Sequence, residues 1–259
     1  MSFRELHERE QLFLMPNPWD VGSARLLASV GFEALATTSS GFAWSLGKLD
    51  TTVTRDELVG HVRALAAATP LPLSVDSERC YPDDPGGVAE TVRLLAEAGA
   101  AGCSIEDYDP AGDRIDDVEV AAARVREAAG AADGLVLTAR AENHLHGVDD
   151  LDDTIARLAA YRDAGADVVY APDLADLEQI AAVVEAVGVP VNVLALPHGP
   201  SVAELASVGV RRVSTGGALA RAAYGALLAG AQELQEQGTS RYAEQGAPRD
   251  ALQSAFAAT

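Results

Sequence analysis

Four segments of the chain share one plan: a helical stretch, a glycine, then a short β-branched or apolar run that ends in polar residues. They are LLASVGFEALATTSS, LLAEAGAAGCSIEDY, LAAYRDAGADVVYAPD and ELASVGVRRVSTGG. Their glycines, Gly31, Gly99, Gly165 and Gly209, suit the left-handed residue that closes a helix. The runs that follow have the length and near-continuous apolarity of parallel strands buried on both faces. Less obvious units fall between them. Together the pattern predicts strands near 11–15, 33–38, 71–76, 101–106, 134–140, 166–171, 190–195 and 211–215. Helices are expected at about 20–30, 54–68, 85–98, 117–130, 149–164, 173–187, 200–207 and 217–236, with Thr54, Pro85, Asp149 and Pro200 at starts. Eight strands alternating with eight helices predict an α/β fold, a closed (β/α)8 TIM-type barrel. An open doubly wound sheet would carry a Gly-rich phosphate loop after its first strand, where this chain has MPNPWD.

A length of 259 residues, 48% of them hydrophobic, is enough for one such domain over 1–259. The segment 237–259 reads as a C-terminal helical extension that covers the barrel base or packs on, or swaps with, a neighbouring subunit. The formal charge of −20 is spread along the chain and argues against nucleic acid and anionic membrane surfaces as partners. No apolar run approaches the roughly 18 residues of a membrane span, and MSFRELHERE lacks a signal-peptide core. A cytoplasmic enzyme is expected. Two cysteines, Cys80 and Cys103, make neither a disulfide framework nor a metal finger. With Lys48 the single lysine, an anionic substrate has to meet arginines, backbone amides or a metal.

In a barrel the chemistry sits at the C-terminal strand ends. Read in order, these offer Asn17 and Asp20, Thr38-Ser39-Ser40-Gly41, Asp76 and Glu78, Glu106 and Asp107, and Arg140 and Glu142. The later ends are Ala171-Pro172, Leu196-Pro197-His198 and Thr215-Gly216-Gly217. Several carboxylates at one mouth repel each other unless protonated or neutralised by a cation. Hard oxygen donors without a Cys or His set favour Mg²⁺, with Mn²⁺ as the alternative. Asp76 is the candidate direct ligand, with Glu78 and Glu106 around it. Arg140 closes an apolar strand beside these acids and can clamp a substrate carboxylate, or else pair structurally with Glu142 or Glu106. Ser39, Ser40, Gly41 and Phe42 offer hydroxyls and backbone N–H groups for an oxyanion. Cys80, Glu106 and His144 are weak candidates for proton transfer. His146 reads as a surface histidine and Cys103 as core.

These residues carry a resemblance. TTSSGFAWSLGKLD, SVDSERCYPDDPGGVAETV, GCSIEDYDP, LTARAEN and PVNVLALPHGPSVAELASVGVRRVS, in that order, resemble the isocitrate lyase/phosphoenolpyruvate mutase superfamily over about residues 14–230. The resemblance implies a (β/α)8 barrel that binds Mg²⁺ and stabilises a pyruvate-like enolate while a C–C or P–C bond beside a 2-oxo or 2-hydroxy acid is made or broken. It assigns Ser40, Gly41 and Phe42 to the substrate carboxylate or oxygen, and Arg140 to the substrate. Asp50 and Asp76 fall beside the metal, and Glu78 and Glu106 hold its waters. Asp50 and Asn192 join the substrate-binding candidates. A homo-oligomer, dimer or tetramer, is implied, with a C-terminal helix exchanged between subunits.

The chain also departs from its relatives. The Lys-x-Cys-Gly segment of the isocitrate and methylisocitrate lyases is missing between Glu106 and Leu135, and YDPAGDRIDD is short for a gating loop. Arg79-Cys80 stands before Tyr81 where the family has glycines. The expected activity is a Mg²⁺-dependent carbon–carbon lyase acting on a small 2-oxo or 2-hydroxy carboxylate. A phosphonopyruvate-type mutase or hydrolase, and a non-catalytic 2-oxo acid binding protein, are the alternatives.

Overall fold

The computed structural model describes residues 1–257; the last two residues of the expected C-terminal extension lie outside the described residues. Eight parallel strands form the barrel: β1 (Phe13–Met15), β2 (Leu35–Ala36), β3 (Leu73–Asp76), β4 (Gly102–Glu106), β5 (Val136–Arg140), β6 (Val168–Tyr170), β7 (Val191–Leu194) and β8 (Arg212–Ser214). They hydrogen-bond in the order β1-β8-β7-β6-β5-β4-β3-β2. The seam between β1 and β2 is drawn shut by Ala36 N–H donating to Pro16 O at 3.1 Å. Asn17 secures that seam. Its Nδ2 donates to Thr37 O at 2.7 Å, and its Oδ1 accepts from the N–H groups of Thr215 and Gly216, each at 2.9 Å. MPNPWD therefore clasps the first, second and eighth units where a phosphate loop would otherwise sit.

The expected strands and the eight barrel helices lie within a few residues of their predicted places. Two cap assignments shift by one residue: Asp150 and Ser201 cap their helices, in place of Asp149 and Pro200, by accepting from the N–H groups of Asp153 and Glu204. The helix expected from Pro85 starts at Gly87, with Gly86 as its cap. Three elements were not anticipated. A short helix, Phe3–Glu8, plugs the N-terminal end of the barrel, where Phe3 and Leu6 pack with Phe13, Met15, Ala34, Ala36, Val136 and Val168. A second, Ser39–Ser45, follows β2, and residues 108–115 form a two-stranded ribbon after β4.

Strand alternation sorts the barrel into two linings. Leu73, Cys103, Ile105, Leu137, Val169 and Val193 face the helices and join the main apolar core. Ser74, Ser104, Thr138, Asn192, Arg212 and Ser214 face the interior and line a cavity. This corrects the expectation of strands apolar on both faces. Barrel interiors are ordinarily filled by branched apolar side chains; short hydroxyl side chains leave this one partly open.

The C-terminal helix Arg249–Ala257 lies on the helix Val21–Val30 of its own barrel, with Arg25 donating to Phe256 O at 3.2 Å. Among the described residues no helix is long and apolar enough to cross a membrane.

Candidate active site

The cavity runs into the barrel from the C-terminal strand ends and encloses about 270 Å³, near the small end of ligand pockets at roughly 300 Å³. Ser39, Ser40, Asp50, Asp76, Arg140 and Asn192 line it, so most of the expected substrate-binding residues and the expected direct metal ligand meet there.

Arg140, at the end of β5, is the hub. Its NH1 bonds Asp76 Oδ1 at 2.8 Å, its Nε bonds Glu142 Oε1 at 2.7 Å, and its NH2 lies 3.4 Å from Glu106 Oε2. The guanidinium also sits over the Tyr170 ring, 5.4 Å from its centroid. Arg140 thus pairs with Glu142 and Glu106, as the structural reading expects, and does so at the cavity wall. Asp76 is fixed from two more directions: its Oδ2 accepts from Ser39 N–H at 3.1 Å, and its backbone N–H donates to Thr37 Oγ1 at 2.8 Å.

Charge in this cluster is unbalanced. Asp50, Asp76, Glu78, Glu106 and Glu142 are five acids sharing one guanidinium. Burial, reinforced by Asp76, raises the Asp50 carboxyl above its usual range. Burial, with Asp76 and Asp50 close by, pushes Glu78 up to about 8. Burial drives Glu106 well up despite Arg140, with Glu142, Asp76 and Glu78 adding to the shift, and it raises Glu142 as well. Glu78 lines a separate opening of about 610 Å³ beside the mouth, shared with the 51–56 and 81–85 segments.

The loop after β3 explains how Glu78 is held. Glu78, Cys80 and Tyr81 have φ of 49°, 58° and 48°, left-handed values that cost a non-glycine residue roughly 1–2 kcal/mol each. Of these, Cys80, with Arg79 before it, stands where the family resemblance implies glycine. Arg79 holds the loop in place by bonding Asp109 Oδ1 and Asp116 Oδ2, both at 3.0 Å, and so ties it to the ribbon after β4. Cys80 turns underneath, fully buried, with its thiol near Ser77 Oγ at 3.3 Å.

Several expected residues lie elsewhere. Cys80 lies outside the cavity lining, fully buried, and burial pushes its thiol up to about 12. Gly41 and Phe42 sit one turn into the Ser39–Ser45 helix, away from the lining. A Cβ at Gly41 would come within 2.6 Å of Thr38 Cγ2 and 3.1 Å of Trp19 Cβ, and Phe42 stacks on His61 at 3.7 Å. His144 bonds Thr154 Oγ1 at 2.8 Å and His146 stacks on Tyr108 at 3.7 Å, so neither faces the site. Asp107 accepts from Tyr161 Oη at 2.6 Å and from Glu142 N–H at 2.8 Å, which places it as a support for the hub. Several cavity residues were missed altogether, among them Ser74, Ser104, Thr138, Tyr170, Ser214 and Arg212. Arg212 looked like ordinary strand sequence, and the pair Arg211-Arg212 gives no sign of which member faces inward.

Comparison with known proteins agrees with this architecture. The family model for phosphoenolpyruvate phosphomutase matches residues 3–235. A solved structure from Burkholderia cenocepacia, described only as a lyase or mutase, is 53% identical, with a TM-score of 0.93 and coverage of 99% of this chain and 95% of that one. The oxaloacetate decarboxylase of Paraburkholderia xenovorans is 32% identical over 222 residues, 81% of this chain and 72% of its own length. Oxaloacetate acetylhydrolase, solved with its product oxalate, is 26% identical with a TM-score of 0.87, covering 99% of this chain and 93% of that one. A match over nearly the whole chain, on a barrel whose acids and arginine converge at the same end, makes this protein a member of the phosphoenolpyruvate mutase family within the isocitrate lyase/phosphoenolpyruvate mutase superfamily.

Proposed function

We propose that the protein is a divalent-metal-dependent lyase that breaks a C–C bond of a small 2-oxo or 2-hydroxy carboxylate by way of a pyruvate-like enolate. The observation that carries this reading is the gathering of Asp50, Asp76, Glu106 and Glu142 about Arg140 at one barrel mouth, with Glu78 beside them. The donor set suits Mg²⁺, or Mn²⁺, because it is all carboxylate and its negative charge exceeds what one guanidinium balances. Among the described residues no three His, Cys, Asp or Glu side chains converge on a ready-made cage. Mg²⁺ needs only one or two carboxylates and keeps several waters, so the arrangement fits it. Asp76 would hold the ion, with Glu78 and Glu106 on its waters. Once bound, such an ion supplies positive charge to an oxygen that becomes anionic.

The chain's own residues supply the rest. Arg140, oriented by Glu142 and seated over Tyr170, grips the carboxylate of the oxo-acid end. Ser39, Ser40 and Asn192 present polar groups to the same space. With Cys80 outside the cavity, Glu106, whose burial raises its carboxyl well above the usual range despite Arg140, is the group suited to carry a proton. The exposed Leu227, Leu228 and Leu234 on the helix Ala218–Gln237 offer a face for a second copy of the chain, in keeping with a cytoplasmic homo-oligomer.

The test is an assay of pyruvate, glyoxylate or oxalate release from a panel of 2-oxo and 2-hydroxy acids, with and without Mg²⁺. Turnover that stops with chelator is expected. No turnover, or turnover indifferent to chelator, would sink the reading. Loss of the C–P signal of phosphonopyruvate in phosphorus NMR would replace it with P–C chemistry.

A further inference from the structure

The buried arginines around the mouth all have acids. Arg140 has three, Arg79 and Arg124 share Asp116, and Arg157 bonds Asp107. Arg212 differs. It is 3% exposed, begins β8, and lines the deep end of the same cavity. Its Nε donates to Asn192 Oδ1 at 2.8 Å, its NH1 to His7 Nε2 at 3.1 Å, and its NH2 to Thr138 Oγ1 at 3.1 Å. All three partners are neutral. His7 Nδ1–H donates to Phe3 O at 2.8 Å, which leaves Nε2 to accept, and burial beside Arg212 drives the ring down to about 3. Asp167, the acid near His7, is already bonded to Arg4 at 2.5 Å and to Leu137 N–H at 2.9 Å.

Three bonds engage three of the five guanidinium N–H groups. Burial lowers Arg212 to about 9, so it keeps its charge at neutral pH. A buried cation with no counter-charge is strongly disfavoured, and folded chains normally pair it. Here the pairing group is missing from the chain while an open cavity lined by Ser74, Ser104 and Ser214 reaches the guanidinium.

We infer that Arg212, with Thr138 and Asn192 orienting it, forms a second anion site at the cavity floor, one that takes a carboxylate or a similarly small oxyanion. Two sources share that chemistry. One is the far carboxylate of a dicarboxylate whose oxo-acid end lies at Arg140, and this source rests on the function proposed above. The other is a free small anion.

Calorimetric titration of the full chain decides the matter, using malonate, succinate and glutarate as dicarboxylates, propionate as a monocarboxylate and formate as the free anion. The best dicarboxylate is expected to lose about 30-fold or more in affinity in Arg212→Met, as removal of one buried charge partner does. Propionate should change by less than about twofold, because its single carboxylate pairs at Arg140. Arg212→Lys should keep part of the dicarboxylate affinity. Formate that competes with the dicarboxylate but not with propionate identifies the far carboxylate as the occupant. Formate binding that is lost in Arg212→Met, without such competition, identifies a free anion. Unchanged dicarboxylate and formate binding in Arg212→Met overturns the inference. If Arg212→Met does not fold, absence of any formate or dicarboxylate binding to the wild type, or full affinity in Arg212→Gln, overturns it instead. Because the readout is binding, failure of the lyase assay leaves this result standing, and the reverse also holds.

Discussion

The two ends of this barrel solve the same backbone and charge problems in opposite ways. Six of the turns that lead into strands use glycine for their left-handed residue: Gly31, Gly99, Gly134, Gly165, Gly188 and Gly209. At the other end, Thr51, Glu78, Cys80, Tyr81, Asp113 and Asp173 all hold positive φ without being glycine. Charge follows the same division, with five acids on one arginine at the mouth and an arginine without an acid at the floor. The turn face minimises strain. The strand-end face stores it, together with uncompensated charge, where loops can aim side chains at a ligand.

Removing the hub tests the mouth most severely. Arg140→Met strips the counter-charge from Asp76, Glu106 and Glu142 and should cost about 3–5 kcal/mol in denaturant unfolding, with Arg140→Lys intermediate. A neutral outcome would mean these acids are already protonated and the mouth is less charged than its residues suggest. Asp76→Asn should lower turnover of whichever acid the panel identifies by about 100-fold or more, together with divalent-ion affinity measured by calorimetry.

The floor responds to pH instead. Folded His7 stays neutral down to about 3, whereas the unfolded ring takes a proton below about 6.5. The unfolded state therefore binds more protons between those values, so stability is lost as pH falls from 6.5. The slope from this group approaches about 1.4 kcal/mol per pH unit. Unfolding curves collected across that window should be shallower in pH for His7→Gln. The smallest effect is local to the mouth: Thr51→Gly should stabilise by about 1 kcal/mol in thermal melts, as a β-branched residue leaves φ of 62°.

The same contrast governs what could be read from residues alone. The barrel was legible because glycine followed by an apolar run is a local signal, repeated at each turn face. Asp76, Glu78, Glu106 and Arg140 were legible because strand ends in a barrel point to one place. Asp50 was reached only through family resemblance, since it lies in the irregular loop after the Ser39–Ser45 helix. Gly41 and Phe42 were misplaced because that helix is too short to show a period, and it turns them away from the cavity. Cys80 was misplaced because nothing in SERCY reveals three left-handed residues. Arg212 was invisible for another reason: adjacent arginines on a strand face opposite ways, and only the register decides which one is inside.

The Phe3–Glu8 helix gives the cavity a closed end, and that has a kinetic meaning. With Phe3, Leu6 and His7 packed beneath Arg212, a ligand that reaches the guanidinium is expected to enter and leave by the mouth. Two molecules in such a shaft must queue: the inner one enters first and departs last. A barrel stoppered at its base by one turn and a half of helix thereby imposes an order on binding and release that no residue at the mouth could impose alone.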